Sequence, residues 1–70
     1  MKTQFKDRRE EIICLKDLVS VNGKVGFIWK YDNEILIAWD IEGPSNEDSQ
    51  NLEELLNDKY NYIVVVGTQK

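Results

Sequence analysis

The chain has no histidine, one cysteine, one proline and one methionine. Each scarcity closes off a class of chemistry. Without histidine the commonest general acid–base is missing, and a serine or cysteine nucleophile has no imidazole to activate it. Cys14 stands alone, so no intrachain disulfide forms. A lone thiolate without histidine does not build a zinc site. Long apolar runs are absent too: none approaches the roughly 20 residues of a membrane-spanning helix. Residues 1–11 (MKTQFKDRREE) are charged and lack an apolar h-region, so they do not read as a secretory signal. A free thiol without an export segment gives cytoplasmic localisation as the expectation.

What remains for chemistry is carboxylates and the thiol. Cys14 lies among Ile12, Ile13 and Leu15, surroundings that suit a small buried hydrophobe rather than a nucleophile. Glu47/Asp48 and Glu53/Glu54 are sequence neighbours, which helix or strand geometry points apart. No spacing supports a carboxylate metal site or a paired-carboxylate hydrolase. The expectation is a protein that is not an enzyme and uses no cofactor and no metal.

Charge is distributed unevenly. Residues 1–31 carry seven bases against four acids, whereas residues 32–58 carry nine acids and no base. The total of −4 hides this polarity. Such an imbalance bears on solubility and choice of partner rather than on fold.

Seventy residues make one small domain. A chain this short buries only about 60% of its unfolded surface and needs a well-packed core or a partner subunit. The strongest pattern is LVSVNGKVGFIWKYDNEILIAWDI, residues 18–41. Asn22-Gly23 and Asp32-Asn33 separate β-branched and aromatic runs; Gly23 supplies the positive φ of a tight turn without strain, and Asp32 and Asn33 both tolerate left-handed backbone. These turns predict a three-strand antiparallel meander over 18–21, 25–31 and 34–41. Gly26 inside the second strand predicts a bulge or a strong bend, and a bulge turns Val25 and Ile28 both inward. On the third strand Ile35, Ile37, Trp39 and Ile41 form the better core face.

The flanks are read as follows. With Thr3 as a cap, residues 1–11 make a short helix with Phe5, Arg9 and Ile12 on one face; the other reading is a tail leading into strand. Residues 11–15 (EIICL) are either a strand or the end of that helix. Residues 42–51 (EGPSNEDSQN) read as a solvated acidic loop. Asn51 caps a helix over 52–59 with Glu53 and Glu54 in its first turn, where the dipole favours them. Residues 62–66 (YIVVV) are the closing strand, ended by Gly67.

Residues 15–41 (LKDLVSVNGKVGFIWKYDNEILIAWDI) resemble the opening of a small Src-homology-3-like barrel of the KOW type. The features are an acidic turn before a short strand (Asp17, Leu18, Val19), the pair Gly23 and Gly26, a long bent strand with a hairpin, and a "V-x-W-D" strand matched by Ile37-Ala38-Trp39-Asp40. Lys16 stands where that pattern has glycine, and the connection after the third strand is longer and carries a helix. The resemblance implies a five-stranded, strongly bent antiparallel sheet or barrel closed by residues 62–66; with the helix over 52–59, the expectation is a mainly β protein with one short helix before the last strand.

Four functions follow as expectations. The favoured one is a protein-interaction module, such as a phage or mobile-element accessory protein or inhibitor. It would work through Trp29 and Tyr31 on one strand face and through Glu47, Asp48, Glu53 and Glu54 toward a basic partner. The resemblance to KOW-type barrels supplies the alternative, nucleic-acid binding in ribosome or transcription machinery, with basic residues 1–31 and Trp29/Tyr31 stacking. A sequence pI of 4.6 weighs against it. The third is self-association through an exposed 62–66 edge; the last and least favoured is an enzyme.

Overall fold

The computed structural model describes residues 1–68. Seven strands occur in the order β1 (Lys2–Lys6), β2 (Ile12–Cys14), β3 (Asp17–Val21), β4 (Lys24–Tyr31), β5 (Glu34–Ala38), β6 (Ser49–Asn51) and β7 (Ile63–Thr68). A 3-10 turn spans Asn46–Asp48 and a short helix, α1, spans Leu52–Asn57. The chain is mainly β, with a five-stranded antiparallel sheet in the order β6-β5-β4-β3-β7 and a β1–β2 ribbon beside it.

Both hairpin turns form where the sequence places them. Asn22 (φ 55) and Gly23 (φ 93) are left-handed, as are Asp32 (φ 50) and Asn33 (φ 66). Two consecutive positive φ values match the right-handed twist of the flanking strands, so β3–β4 and β4–β5 leave their turns in register. The Asn22 side chain ties the first turn to the chain entering β7. Its amide donates to Asn61 Oδ1 (2.9 Å), and its Oδ1 accepts the Tyr62 N–H (2.8 Å).

The core lies on the inner face of the sheet. Val19, Val21, Ile28, Ile37 and Ile63 point inward and meet Ile13 of the ribbon and Leu52 of the helix. Phe5, Leu15, Ile35, Trp39, Leu55, Leu56 and Val65 pack around that cluster. The strand direction of Ile35, Ile37 and Trp39 toward the core therefore agrees with the sequence pattern. Leu36 and Ala38 are buried as well, on the opposite face, because the chain after β5 folds back and its 3-10 turn packs on that strand. Regular pairing ends at Ala38, short of Ile41.

Gly26 makes no bulge. The pairs Val19↔Gly26, Ser20↔Val25 and Leu18↔Phe27 run without a shift, so Val25 faces outward and is 39% exposed. Close approach is what demands glycine here. A Cβ on Gly26 would overlap Ile37 Cγ1 and stand 3.2 Å from the Ala38 carbonyl oxygen. The irregularity in the sheet lies instead in β7, where the register with β3 shifts between Leu18 and Val19. That strand continues through Gly67 to Thr68.

Residues 1–14 are neither helix nor tail. KTQFK alternates, with Thr3 and Phe5 turned in and Lys2, Gln4 and Lys6 out. The Thr3 hydroxyl, read as a helix cap, donates to the Ile13 carbonyl (2.6 Å) and accepts the Phe5 N–H (3.1 Å) across a register shift in the ribbon. The acidic loop over 42–51 also needs correction. Its last three residues form β6, paired as Ala38↔Ser49, Ile37↔Gln50 and Leu36↔Asn51. Ser-Gln-Asn has no strand pattern of its own. It becomes a strand because β5 offers an open row of backbone groups.

Asn51 caps α1, accepting the Glu54 N–H (3.2 Å). The helix stops at Asn57, before Lys59, and side chains take up its terminal carbonyls. Asn61 donates to the Leu55 oxygen (3.0 Å), and Arg8 donates to those of Leu56 (3.1 Å), Asp58 (2.9 Å) and Asn61 (2.9 Å). A helix this short depends on such tertiary anchors rather than on its own propensity.

Asp7 holds the ribbon to β7. Its Oδ1 accepts the N–H groups of Arg9 (2.8 Å) and Glu11 (2.9 Å), closing the β1–β2 loop. Its Oδ2 accepts the Val65 N–H (2.9 Å). The Arg8 N–H donates to the Ile63 oxygen (2.9 Å), and Arg9 Nη2 donates to the Val65 oxygen (2.7 Å). The edge of β7, expected to be open to a second copy, is thus occupied along Ile63–Val65 by the chain's own loop. Burial alone would push the Asp7 carboxyl up, but the three backbone N–H donors and the Arg9 charge outweigh it and hold it below its ordinary value.

Candidate functional site

The alternation of β4 places Val25, Phe27, Trp29 and Tyr31 in one row on the outer face of the sheet. Cross-strand pairing puts Leu18 beside Phe27, Leu36 beside Trp29 and Val64 beside Ser20. The row grades from half-buried to open. Phe27 and Trp29 are half-buried, while Tyr31 is 46% exposed and Val66, on β7, is 55% exposed. The Trp29 and Tyr31 rings stand 5.7 Å apart between centroids, tilted by 46°. This is the aromatic strip read from the i, i+2 spacing.

Trp29 is also held in place. Its indole N–H donates to Ser49 Oγ (3.0 Å), and that hydroxyl donates to the Ser45 oxygen (2.6 Å). The indole therefore fixes the edge strand β6 and the acidic turn against the sheet. Trp29 is at once structural and surface-forming, and neither role alone describes it.

The four acidic residues do not converge. Glu47 and Asp48, in the 3-10 turn, flank a cleft of about 560 Å³ that also holds Lys24, Trp39 and Asp40. Glu53 borders a different cleft, about 390 Å³, between β1 and the start of β5, with Phe5, Lys30 and Ile35. Glu54 is exposed on the first turn of α1. β6 runs between the two pairs. They are two separate acidic surfaces rather than one.

Three of the seven basic residues in the first third are engaged, and Lys2, Lys6, Lys16 and Lys30 are exposed. Arg8 and Arg9 spend their guanidinium groups on main-chain carbonyls, and Lys24 lies over the Trp39 ring, 4.5 Å from its centroid. Cys14 is half-buried at the end of β2, its N–H donating to Asp17 Oδ2 (2.8 Å). Among the described residues no group of His, Cys, Asp and Glu side chains is arranged to hold a metal ion. No helix among them is long and apolar enough to cross a membrane.

Val25, Phe27, Leu18 and Val66 belong to the outer face and were not among the residues expected there. Strict alternation over residues 25–31 would have revealed the first two. The assumed bulge at Gly26 hid it by moving Val25 inward. Lys24 carries no such signal, because its position over Trp39 depends on the β3–β4 turn meeting the chain beyond β5. Comparison with known protein families, with curated proteins and with solved structures finds no match.

Proposed function

We propose that the chain is a non-enzymatic protein-interaction module. Its binding face is the outer surface of the five-stranded sheet. Its partner has an apolar patch bordered by basic side chains. The observation that carries this is the row Val25, Phe27, Trp29, Tyr31, with Leu18 and Val66 on the neighbouring strands, exposed at Val25, Tyr31 and Val66 while the 3-10 turn packs over its β5 side. Contiguous apolar side chains on a small domain are costly to leave in water and are typical of contact surfaces. Acidic residues stand beside this face. Glu34 pairs with Tyr31 on the same side, and Glu47 and Asp48 lie one turn from the hydroxyl that holds Trp29. They add long-range attraction toward a basic partner. A role as a phage or mobile-element accessory or inhibitor is one setting for such a module.

Nucleic-acid binding draws less support. Phosphate neutralisation needs free cations along one surface. Here both arginines are spent on carbonyls, and the sequence pI is 4.6. The discriminating experiment is affinity capture from the native host's lysate with the unaltered chain and with Tyr31→Glu and Val66→Glu. A protein retained by the former and lost by both variants supports the sheet face. Capture unchanged by either variant refutes it. Retention of single-stranded RNA on filters at low salt would favour the alternative.

A further inference from the structure

We propose that the cleft beside Trp39 is a recognition site for an arginine side chain of a protein partner, held in the free protein by the chain's own Lys24. This rests on the interaction-module reading but centres on a different surface, the cleft beside Trp39 rather than the outer sheet face. The cleft is lined by Lys24, Trp39, Asp40, Glu47, Asp48 and Gln50, with Ser49 at its base. It already contains a cation. The Lys24 ammonium sits 4.5 Å from the Trp39 ring centroid, over the electron-rich face. Among the described residues no carboxylate lies within ion-pair distance of that ammonium, since the ion pairs found there all involve Arg9. The ring therefore binds a positive charge while Glu47 and Asp48 make no ion pair and Asp40, whose Oδ1 accepts the Gly43 N–H (3.1 Å), keeps its second oxygen for another cation.

The chemistry favours guanidinium over other cations. The carboxylates are too dispersed to hold a metal ion. A planar guanidinium stacks on indole, is weakly hydrated, and reaches carboxylates to either side with its fork of donors. Lys24 is suited to being displaced. It is exposed, it follows the Asn22-Gly23 turn, and its long stem swings without disturbing the β3–β4 pairing. Residues 32–58 contain no base, so within that acidic segment nothing else competes for the ring.

The probe is the peptide acetyl-Gly-Arg-Gly-Arg-Gly-amide, with its lysine counterpart as control, titrated into the whole protein at low salt. The two indole N–H resonances report separately on Trp29 and Trp39. The arginine peptide is expected to shift the Trp39 resonance more than that of Trp29, whose N–H meets the cleft only through Ser49. Lys24→Gln removes the internal competitor and tightens binding by about fivefold, the factor that one exposed cation–ring contact represents. Glu47→Lys with Asp48→Lys, both exposed, weakens it by about tenfold or more through charge reversal. A Trp39 resonance unmoved by the peptide overturns the inference, as does a Lys24→Gln variant that binds no more tightly. Equal affinity for the lysine peptide overturns the arginine assignment. Capture lost in Tyr31→Glu and Val66→Glu is read without the peptide, and the Trp39 shift is read without a captured partner, so the two proposals fail separately.

Discussion

Replacing Asp7 tests most directly how this small domain is held together. One carboxylate accepts three backbone N–H groups and joins the β1–β2 loop to the free side of β7. Asp7→Ala leaves the Val65 N–H without a partner beneath the loop, at a cost of about 2 kcal/mol. Water can reach the Arg9 and Glu11 N–H groups, so each adds about 0.5–1 kcal/mol. The sum is about 3–4 kcal/mol, against a total stability of roughly 3.5–10 kcal/mol for a domain of this length. Thermal unfolding should therefore move down by about 15–25 °C, followed by circular dichroism. Asp7→Asn should cost nearly as much, because its amide would point a donor at the N–H of Val65 or of the loop.

The pH dependence has a definite sign. In the unfolded chain this carboxyl takes up a proton near pH 3.9, whereas in the folded protein it does so at lower pH. Its contribution is fully present above the unfolded value and is lost as pH falls through the folded one. The stability gap between the unaltered chain and Asp7→Asn should be widest above about pH 5 and narrow below about pH 4. A gap constant from neutral to strongly acidic pH, or an Asp7→Ala variant that melts like the unaltered chain, would refute the assignment of Asp7 as the tie between ribbon and sheet.

Other substitutions probe other contacts. Lys16 adopts φ 72, so Lys16→Gly should stabilise by about 0.5–1 kcal/mol, read from urea midpoints. Gly26→Ala should destabilise by about 1–3 kcal/mol, since the new methyl meets Ile37 and the Ala38 carbonyl. Arg8→Ala removes the donor to the Leu56 carbonyl in α1 and to those of Asp58 and Asn61 after it, and should speed amide exchange in Leu52–Asn57 more than in β3 or β4. Trp29→Phe keeps the ring but loses the bond to Ser49, and should raise exchange in β6 while leaving the fold intact.

The β4 and β5 hairpins were legible because the information is local. Asn22-Gly23 and Asp32-Asn33 each contain the residues that a primed turn requires, and the turn sets the pairing that follows. The same holds for Asn51 as the cap of α1. On the candidate face, Trp29 and Tyr31 were legible from strand periodicity alone. Val25 was not, because an internal glycine has two readings: a bulge, or a close crossing of another side chain. Only Ile37, packed over Gly26 from the neighbouring strand, decides between them.

Where residues depend on distant partners, the chain by itself was silent. Thr3 reads as a helix cap, yet its hydroxyl serves Ile13 instead, and nothing near Asp7 in the chain points to Val65 as its partner. Ser49–Asn51 is polar enough for a loop and becomes a strand because β5 has an open edge. Composition and turn chemistry thus determined a histidine-free, mainly β domain with its meander and capped helix, since those depend on backbone preferences within a few residues. Tertiary structure decided which edges are closed, which aromatic rings are held, and that the acidic pairs face different clefts. Those outcomes require hydrogen bonds and packing between segments up to 58 residues apart.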